Sequence, residues 1–213
     1  MWTNQAGDAF YSWGGKSAFG VNLTVPTLWK FTADGSGGGS WSSEVASNPS
    51  RFNDFSPVEY AAVATVNNTA YTIGGIASSW TKLGLTTDQA IPGMLSYDMS
   101  TKEWTNGTQG FSPFETLSHA RAEYLPAFGP NGLVVVMGGH SPKVDAAPNN
   151  MQNVVVNDFR NLTFFDPVTK KKYWQVATGE IPPSPRAGFC SVAFKSPEGG
   201  HEVYVEPESL TDR

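Results

Sequence analysis

Residues 61–75 read AAVATVNNTAYTIGG. An apolar run, an Asn-Asn pair and a second apolar run are typical of two strands joined by a tight turn. The second run ends in a glycine doublet, and glycine at a strand end permits dihedrals and close backbone approaches that a Cβ would block. The segment therefore predicts a β-hairpin, with a structural role for Gly74 and Gly75.

The same landmarks recur in one order along the chain. Glycine doublets close apolar runs at Gly14-Gly15, Gly74-Gly75 and Gly138-Gly139. A tryptophan and then an arginine follow each doublet, as Trp41, Trp104 and Trp174 and as Arg51, Arg121 and Arg186. Different landmarks repeating in a fixed order at spacings of 60 to 70 residues indicate stacked supersecondary units. We expect the tryptophans to fill the space between adjacent sheets.

The arginines are expected to open the first strand of their units. Their predicted role is structural, in hydrogen bonds to carbonyls or carboxylates where one unit joins the next. A ring of ligand-facing guanidinium groups is the alternative.

Each unit is predicted to contain four strands. In the second unit these are residues 61–66, 70–73, 94–98 and 103–105, and Asp98 opens a turn between the last two by accepting nearby backbone N–H groups. The third unit repeats this with strands at 133–137, 162–166 and 173–175 and with Asp166. In the first unit, Thr32 stands where Asp98 and Asp166 stand in the other two units, and Asp34 lies two residues further along.

The pattern of a glycine doublet, an aromatic-Asp pair and a tryptophan resembles the kelch repeat over nearly the whole chain. The resemblance implies an all-β fold, a partial kelch-type β-propeller. It would have about three four-stranded antiparallel blades and the first two strands of a fourth. The predicted units are 1–50, a blade lacking its first strand, 51–118, 119–185, and 186–213, a truncated blade. We expect an open arc of this kind to be a fragment, the product of a truncated gene model or a chain that needs a partner, and its exposed end blades predict self-association.

Charge and composition exclude several classes of protein. The net charge of −5 provides no basic surface for nucleic acid or anionic lipid. No apolar run approaches the ~18 residues of a membrane helix. The single cysteine allows no internal disulfide, and we expect Cys190 to be a buried, inert thiol.

The compartment is left open by the sequence. The N-terminal residues have neither the basic nor the apolar region of a signal peptide. Acceptor sequences for N-glycosylation occur at Asn22, Asn67, Asn106 and Asn161, so a secreted or cell-surface glycoprotein and an intracellular protein both remain possible.

Strand parity places the long loops and the links between units on one face, where function on a rigid scaffold usually resides. The candidate residues on this face are Lys82, Asp88, His119, Arg121, His140, Lys143 and Asp145. The alternative is that they are ordinary solvated loop residues. His119 and His140 could ligate copper or zinc, but no third ligand is suitably spaced, and His201 falls in an opposite-face turn. We therefore predict no metal, no cofactor and no catalytic residues.

The function predicted from these features is a propeller scaffold that binds a protein or a glycan through the long-loop face. The alternative is a fragment of a propeller enzyme such as a copper-radical oxidase. That chemistry uses a Cys–Tyr crosslink, a second tyrosine and two histidines, and no local motif of such enzymes is present.

Overall fold

The computed structural model describes residues 1–23, 25–107, 111, 115–143 and 154–206. Within these ranges the chain is all-β, with several small antiparallel sheets, none of which closes on itself. Three sheets have four strands each, and each follows the chain in simple antiparallel order. We number them sheets 1 to 3, and the two-stranded sheet that follows them is sheet 4.

Sheet 1 contains β1 (Trp2–Thr3), β2 (Ala9–Ser12), β3 (Leu28–Ala33) and β4 (Gly39–Glu44). Sheet 2 contains β5 (Ala62–Val66), β6 (Thr69–Ile73), β9 (Met94–Asp98) and β10 (Glu103–Gly107). Sheet 3 contains β11 (Arg121–Leu125), β12 (Leu133–Met137), β15 (Asn161–Phe165) and β16 (Lys172–Val176). Sheet 4 contains β17 (Cys190–Lys195) and β18 (His201–Glu206).

The remaining elements lie in the long connections. They are the helix α1 (Pro49–Asp54) and the short strand pairs β7 (Ile76–Ala77) with β8 (Gln89–Ala90) and β13 (His140–Pro142) with β14 (Val154–Val156). The sequence predicted plain loops after the glycine doublets, because strands of two or three residues are too short to show an alternating pattern.

The predicted strands of sheets 2 and 3 are confirmed to within one or two residues, and Val66 pairs with Thr69 across the predicted Asn67-Asn68 turn. The prediction that the first unit lacks its first strand is wrong. Trp2 pairs with Tyr11 and Thr3 with Phe10, which completes a four-stranded sheet 1. The strand was missed because two residues carry no periodicity.

The first strands of successive sheets lie side by side, with β1 next to β5, β5 next to β11, and β11 next to β17. Three buried clusters fill the spaces between sheets 1 and 2, 2 and 3, and 3 and 4. Each sheet thus buries apolar side chains against its neighbours along the chain, which is how a repeat architecture obtains a continuous core.

Aspartate turns join the third and fourth strands of sheets 1 to 3. Asp98 Oδ1 accepts hydrogen bonds from the amides of residues 100 and 101, and Asp166 Oδ1 accepts them from residues 168 and 169, at 2.8–3.0 Å. Asp34 Oδ1 accepts from residues 36 and 38. The shifted aspartate of the first unit therefore serves the same purpose in a longer turn.

The glycine doublets lie at the junctions between sheets. The amides of Gly15, Gly75 and Gly139 donate to the carbonyls of Val58, Leu117 and Arg186 at 2.6–2.8 Å. Each acceptor lies shortly before the first strand of the next sheet. A Cβ on the first glycine of each doublet would meet the same carbonyl oxygen, and all six glycines have positive φ. The close approach therefore explains why glycine stands at the first position of each doublet.

The prediction that the tryptophans fill the spaces between sheets holds for Trp104 and is wrong for the other two. Trp104 is 1% exposed between sheets 1 and 2, with its ring 4.9 Å from that of Trp13. Trp41 is 52% exposed because it lies on the outward face of sheet 1. Trp174 is 71% exposed. It is not equivalent to Trp104, because Lys172 occupies in sheet 3 the position that Trp104 has in sheet 2.

The predicted arginine repeat is also wrong in part. Arg121 begins β11, but Arg51 lies exposed in α1 and Arg186 precedes β17. Proline at the start of α1 favours a helix, since its fixed φ suits the first turn and its missing N–H would be unpaired there. The three arginines therefore occupy different local structures.

The outward faces of sheets 1 and 4 carry exposed apolar side chains. Trp29 and Trp41 are exposed on sheet 1, and Val192, Phe194 and Tyr204 on sheet 4.

Cys190 also proves to be exposed, which contradicts the predicted buried thiol. It alternates with Ser191, which faces sheet 3, and so points to the other side.

No helix in the described ranges is long and apolar enough to cross a membrane.

We predict that Gly74→Ala destabilises the protein by about 3 kcal/mol, because the new Cβ would collide with the Leu117 carbonyl at a positive φ. Gly84→Ala is the matched control, since Gly84 has φ +85° but nothing within 4 Å, and it should cost about 1 kcal/mol. Urea unfolding measures both. Equal losses would show that the close approach is unimportant.

We predict a pH-dependent contribution from Asp166. Burial acts to raise the pKa of this carboxyl, but hydrogen bonds from the Thr169 amide, Asn131 and the Val168 amide outweigh it and lower the pKa to about 2 from an ordinary 3.8. A lowered folded-state pKa stabilises the protein above pH 4, and the stabilisation is lost as the pH falls towards 2. Asp166→Asn should therefore cost about 1–2 kcal/mol at pH 7.

The measurement is the free energy of unfolding of both proteins as a function of pH. The difference between them should shrink between pH 4 and pH 2. A difference that is constant over this range would contradict the assignment of the stabilisation to the ionised carboxylate.

Candidate functional site

One end of the sheets collects the long connections. Because each four-stranded sheet is an antiparallel meander, the connection between its second and third strands and the link to the next sheet emerge at the same end. We call this the loop end. The opposite end carries short turns, including residues 67–68, 99–102 and 167–171.

The inner rim of the loop end is a ladder of backbone hydrogen bonds. Tyr60, His119 and Gly188 each lie just before the first strand of their sheet, and each has a left-handed φ of 57–68°. The His119 amide donates to the Tyr60 carbonyl at 2.8 Å, and the Gly188 amide donates to the His119 carbonyl at 2.9 Å. The ladder thereby fixes sheets 2, 3 and 4 to one another.

Aromatic rings cluster on this rim. The Tyr60 ring stacks on the His119 imidazole with centroids 3.9 Å apart and planes 16° from parallel. The His140 ring lies 5.6 Å from that of His119, and burial lowers the pKa of His140, which favours the neutral imidazole at pH 7. Since the Tyr60 side chain is exposed, the cluster presents an aromatic surface to solvent.

A second aromatic group lies on the connections of sheets 1 and 2. Phe19 is exposed, and its ring is 6.1 Å from that of Trp80. The Ser17 amide donates to the Trp80 carbonyl at 3.0 Å, and Lys16 Nζ lies 5.5 Å from the centre of the Trp80 ring. This loop patch, residues 16–19 with Trp80, combines apolar and cationic groups.

The structure brings His119 and His140 together at the loop end, as the sequence suggested. Lys82 and Lys143 also lie there, and Lys82 Nζ is 3.0 Å from Ser56 Oγ. Asp88 is half-buried next to β8 and is not in contact with this cluster in any hydrogen bond or ion pair among the described residues.

Some of the other predicted residues do not lie on the loop surface. The Arg121 guanidinium lies over the Phe189 ring at 5.9 Å, between sheets 3 and 4, rather than in a ring facing a ligand. His201 was predicted to fall in an opposite-end turn, but it is the first residue of β18, directly after that turn. Asp145 lies outside the described residues.

The acceptor asparagines Asn22, Asn67, Asn106 and Asn161 are all exposed, so all four are accessible at the surface.

A groove of about 700 Å³ runs along the first strands of the four sheets. Its walls include residues 63–65, 122–124 and 193–195, together with Phe10 and His201. Glu123, which lines the groove, accepts a 2.5 Å hydrogen bond from the Ser191 hydroxyl and so links β11 to β17. The groove is mainly apolar.

The described ranges contain no group of three or more His, Cys, Asp or Glu side chains close enough to hold a metal ion. The two rim histidines contribute their rings to the aromatic cluster, and His119 contributes its amide and carbonyl to the ladder.

Sequence reasoning missed Tyr60 and Trp80, because the units were aligned on arginines that are not structurally equivalent. Alignment on the first strands would have placed Tyr60, His119 and Gly188 at one repeated position. Trp80 follows a glycine doublet within a connection and carries no periodic signal of its own.

Comparison with solved structures shows a likeness of fold. No family model matches the chain, and no curated protein matches it. The solved structure of YjhT superimposes with a TM-score of 0.52 at 18% sequence identity, over 86% of this chain and 52% of the YjhT chain. The likeness is one of fold alone. The chain thus spans about half the length of the solved protein it resembles.

Proposed function

We propose that the four sheets are successive blades of a kelch-type β-propeller and that the chain binds a protein or a glycan through the loop end. The proposed function is recognition, without a catalytic step. The proposed binding surface lies at the loop end and is formed by the rim cluster of Tyr60, His119 and His140 and by the loop patch.

Three features support the propeller. The first strands lie next to one another in chain order, the spaces between sheets are filled by separate apolar clusters, and the glycine doublets make equivalent hydrogen bonds at three junctions. Four-stranded antiparallel sheets arranged radially with their first strands innermost are the architecture of a propeller.

The observation that carries the binding proposal is the exposure of aromatic side chains at one end of a rigid scaffold. Tyr60 and Phe19 are both exposed there, and Trp80 has a lysine ammonium over its ring. Amphipathic aromatic rings contribute large contact area to protein interfaces and also stack on the apolar faces of sugars. A loop surface held by backbone hydrogen bonds suits either ligand.

The binding proposal is tested with a glycan array and a cell-lysate affinity screen, followed by measurement of each ligand's affinity for variants. Phe19→Ser combined with Leu83→Ser removes two exposed apolar side chains of the loop end and should weaken binding roughly tenfold. Val168→Ser is the matched control, because Val168 is also an exposed apolar residue but lies in an opposite-end turn. Equal affinities, or a loss with Val168→Ser, would overturn the proposal.

We further propose that the exposed faces of sheets 1 and 4 mediate self-association with a second copy of this chain. Contiguous exposed apolar side chains favour association, and Val192 lies directly opposite Tyr204 on sheet 4. Sedimentation velocity should show oligomers that increase with concentration. Val192→Lys with Tyr204→Lys should shift the protein towards the monomer, while Val168→Lys should not. A monodisperse wild-type monomer would contradict this.

A further inference from the structure

Two successive contacts between sheets are built on the same plan. We call the contact of sheets 1 and 2 the first junction and that of sheets 2 and 3 the second junction. At the first, the Tyr11 ring meets that of Tyr97 edge-on at 5.8 Å. At the second, the Tyr71 ring meets that of Phe165 edge-on at 5.5 Å. In both pairs the first residue lies three positions before a glycine doublet and the second directly precedes a turn aspartate, so the strand register relates the two junctions residue by residue.

The second junction lacks the tryptophan of the first. Trp104 pairs with Tyr97 within sheet 2 and is buried against sheet 1. Lys172 pairs with Phe165 in the same register, so sheet 3 has a lysine where sheet 2 has a tryptophan. Phe111 occupies part of the space between sheets 2 and 3, with its ring centre 6.0 Å from that of Phe165. A cleft of about 310 Å³ remains beside it.

The second junction also lacks the carboxylate of the first. There, Glu44 Oε1 lies 2.5 Å from the Lys102 ammonium. Gly107 has the position of Glu44, because each pairs with the first residue of the third strand of its sheet. Lys170 has the position of Lys102, four residues after a turn aspartate and with the same φ of 61°. Lys170 forms no ion pair with any described residue, and its ammonium lies 5.9 and 6.0 Å from the centres of the two rings that meet at this junction.

The polar side of the cleft is open to solvent. Lys170 and Asn106 are exposed and Lys172 is half-buried, and all three line the cleft, so a dissolved molecule can reach them. Burial lowers the pKa of Lys172, although the Glu115 carboxylate acts to raise it. An anion bound beside this ammonium would offset the solvation that burial removes.

We propose that this cleft binds a small aromatic carboxylate. The ring of the ligand occupies the space that Trp104 fills at the first junction. Its carboxylate pairs with Lys170 and Lys172 and so takes the place of Glu44. A neutral aromatic molecule would leave Lys170 without a counter-charge, and a small inorganic anion would leave the aromatic wall uncovered. The volume is within the range of small-molecule sites, about 300–1,000 Å³. This site is separate from the loop end, and its occupancy does not depend on the function proposed there.

Calorimetric titration of the full chain tests the chemistry of the ligand. The probes are indole-3-acetate and phenylacetate, with tryptamine as a cation that keeps the ring and acetate as an anion that lacks it. At least one aromatic carboxylate should bind, and tryptamine and acetate should bind roughly tenfold more weakly or not at all. Equal affinity for acetate would indicate an anion site only, and equal affinity for tryptamine an apolar cleft only. Either result, or no binding of both aromatic carboxylates, would overturn the proposal.

Lysine variants locate the bound carboxylate. Lys170→Met and Lys172→Met should each lower the affinity for the aromatic carboxylate roughly tenfold, because each removes a charged partner. Lys171→Met is the matched control, since it changes the net charge equally but alters an exposed residue that does not line the cleft. Circular dichroism melting establishes that each variant is folded. Unchanged affinity in the folded cleft variants, or an equal loss with Lys171→Met, would contradict the assignment.

A second variant supplies the missing carboxylate from the chain itself. A Cβ on Gly107 meets nothing closer than the Met94 carbonyl oxygen at 3.5 Å, so a side chain fits there. Gly107→Glu should pair with Lys170 as Glu44 pairs with Lys102, and it should lower the affinity for the ligand roughly tenfold. Gly107→Gln has the same size without the charge and should lower it less. Equal effects of the two substitutions would count against a carboxylate-binding role for Lys170.

A third variant supplies the missing ring. Lys172→Trp places in sheet 3 the side chain that Trp104 provides in sheet 2, so it should fill the cleft and abolish binding at an unchanged or higher melting temperature. Loss of binding in a protein that remains this stable cannot be attributed to unfolding. Binding of the aromatic carboxylate to Lys172→Trp with wild-type affinity would overturn the proposal.

Discussion

The contact between each glycine doublet and the segment before the next sheet is the constraint on which the rest of the structure depends. It places a backbone amide 2.6–2.8 Å from a carbonyl at three junctions and leaves no room there for a Cβ. With this approach fixed, the first strands lie side by side and the faces of neighbouring sheets come close enough to bury Trp104 and the other members of the clusters. The backbone contacts set the spacing between neighbouring sheets, and the apolar clusters then stabilise it by burying side chains there.

The sequence predicted the strands of sheets 2 and 3 well because their alternating apolar residues, tight turns and glycine doublets are local signals. The aspartate turns were predictable for the same reason, even where Asp34 was displaced. Burial of the tryptophans was less predictable, since it depends on whether a sheet packs on the relevant face. Trp41 and Trp104 have similar sequence surroundings, yet only Trp104 has a neighbouring sheet across from it.

The candidate sites likewise divide into residues that the sequence could place and residues that only the packing of the sheets brings together. Placing His119 and His140 at one end required only strand direction, and the structure does bring their rings together. Tyr60 was not identifiable, because its equivalence to His119 and Gly188 appears only once the first strands are aligned. Trp80 was not identifiable either, because only the fold brings Lys16 and Phe19 to its ring across more than 60 residues of sequence.

The rim ladder has a consequence for how the chain tolerates change. Because the links among Tyr60, His119 and Gly188 run through main-chain amides and carbonyls, they need no hydrogen bond from a side chain, although the left-handed φ disfavours β-branched residues there. An aromatic phenol, an imidazole and a bare hydrogen occupy equivalent places without altering the geometry. Substitutions that tolerate the left-handed φ can therefore change the surface chemistry of the rim without breaking the hydrogen bonds beneath it.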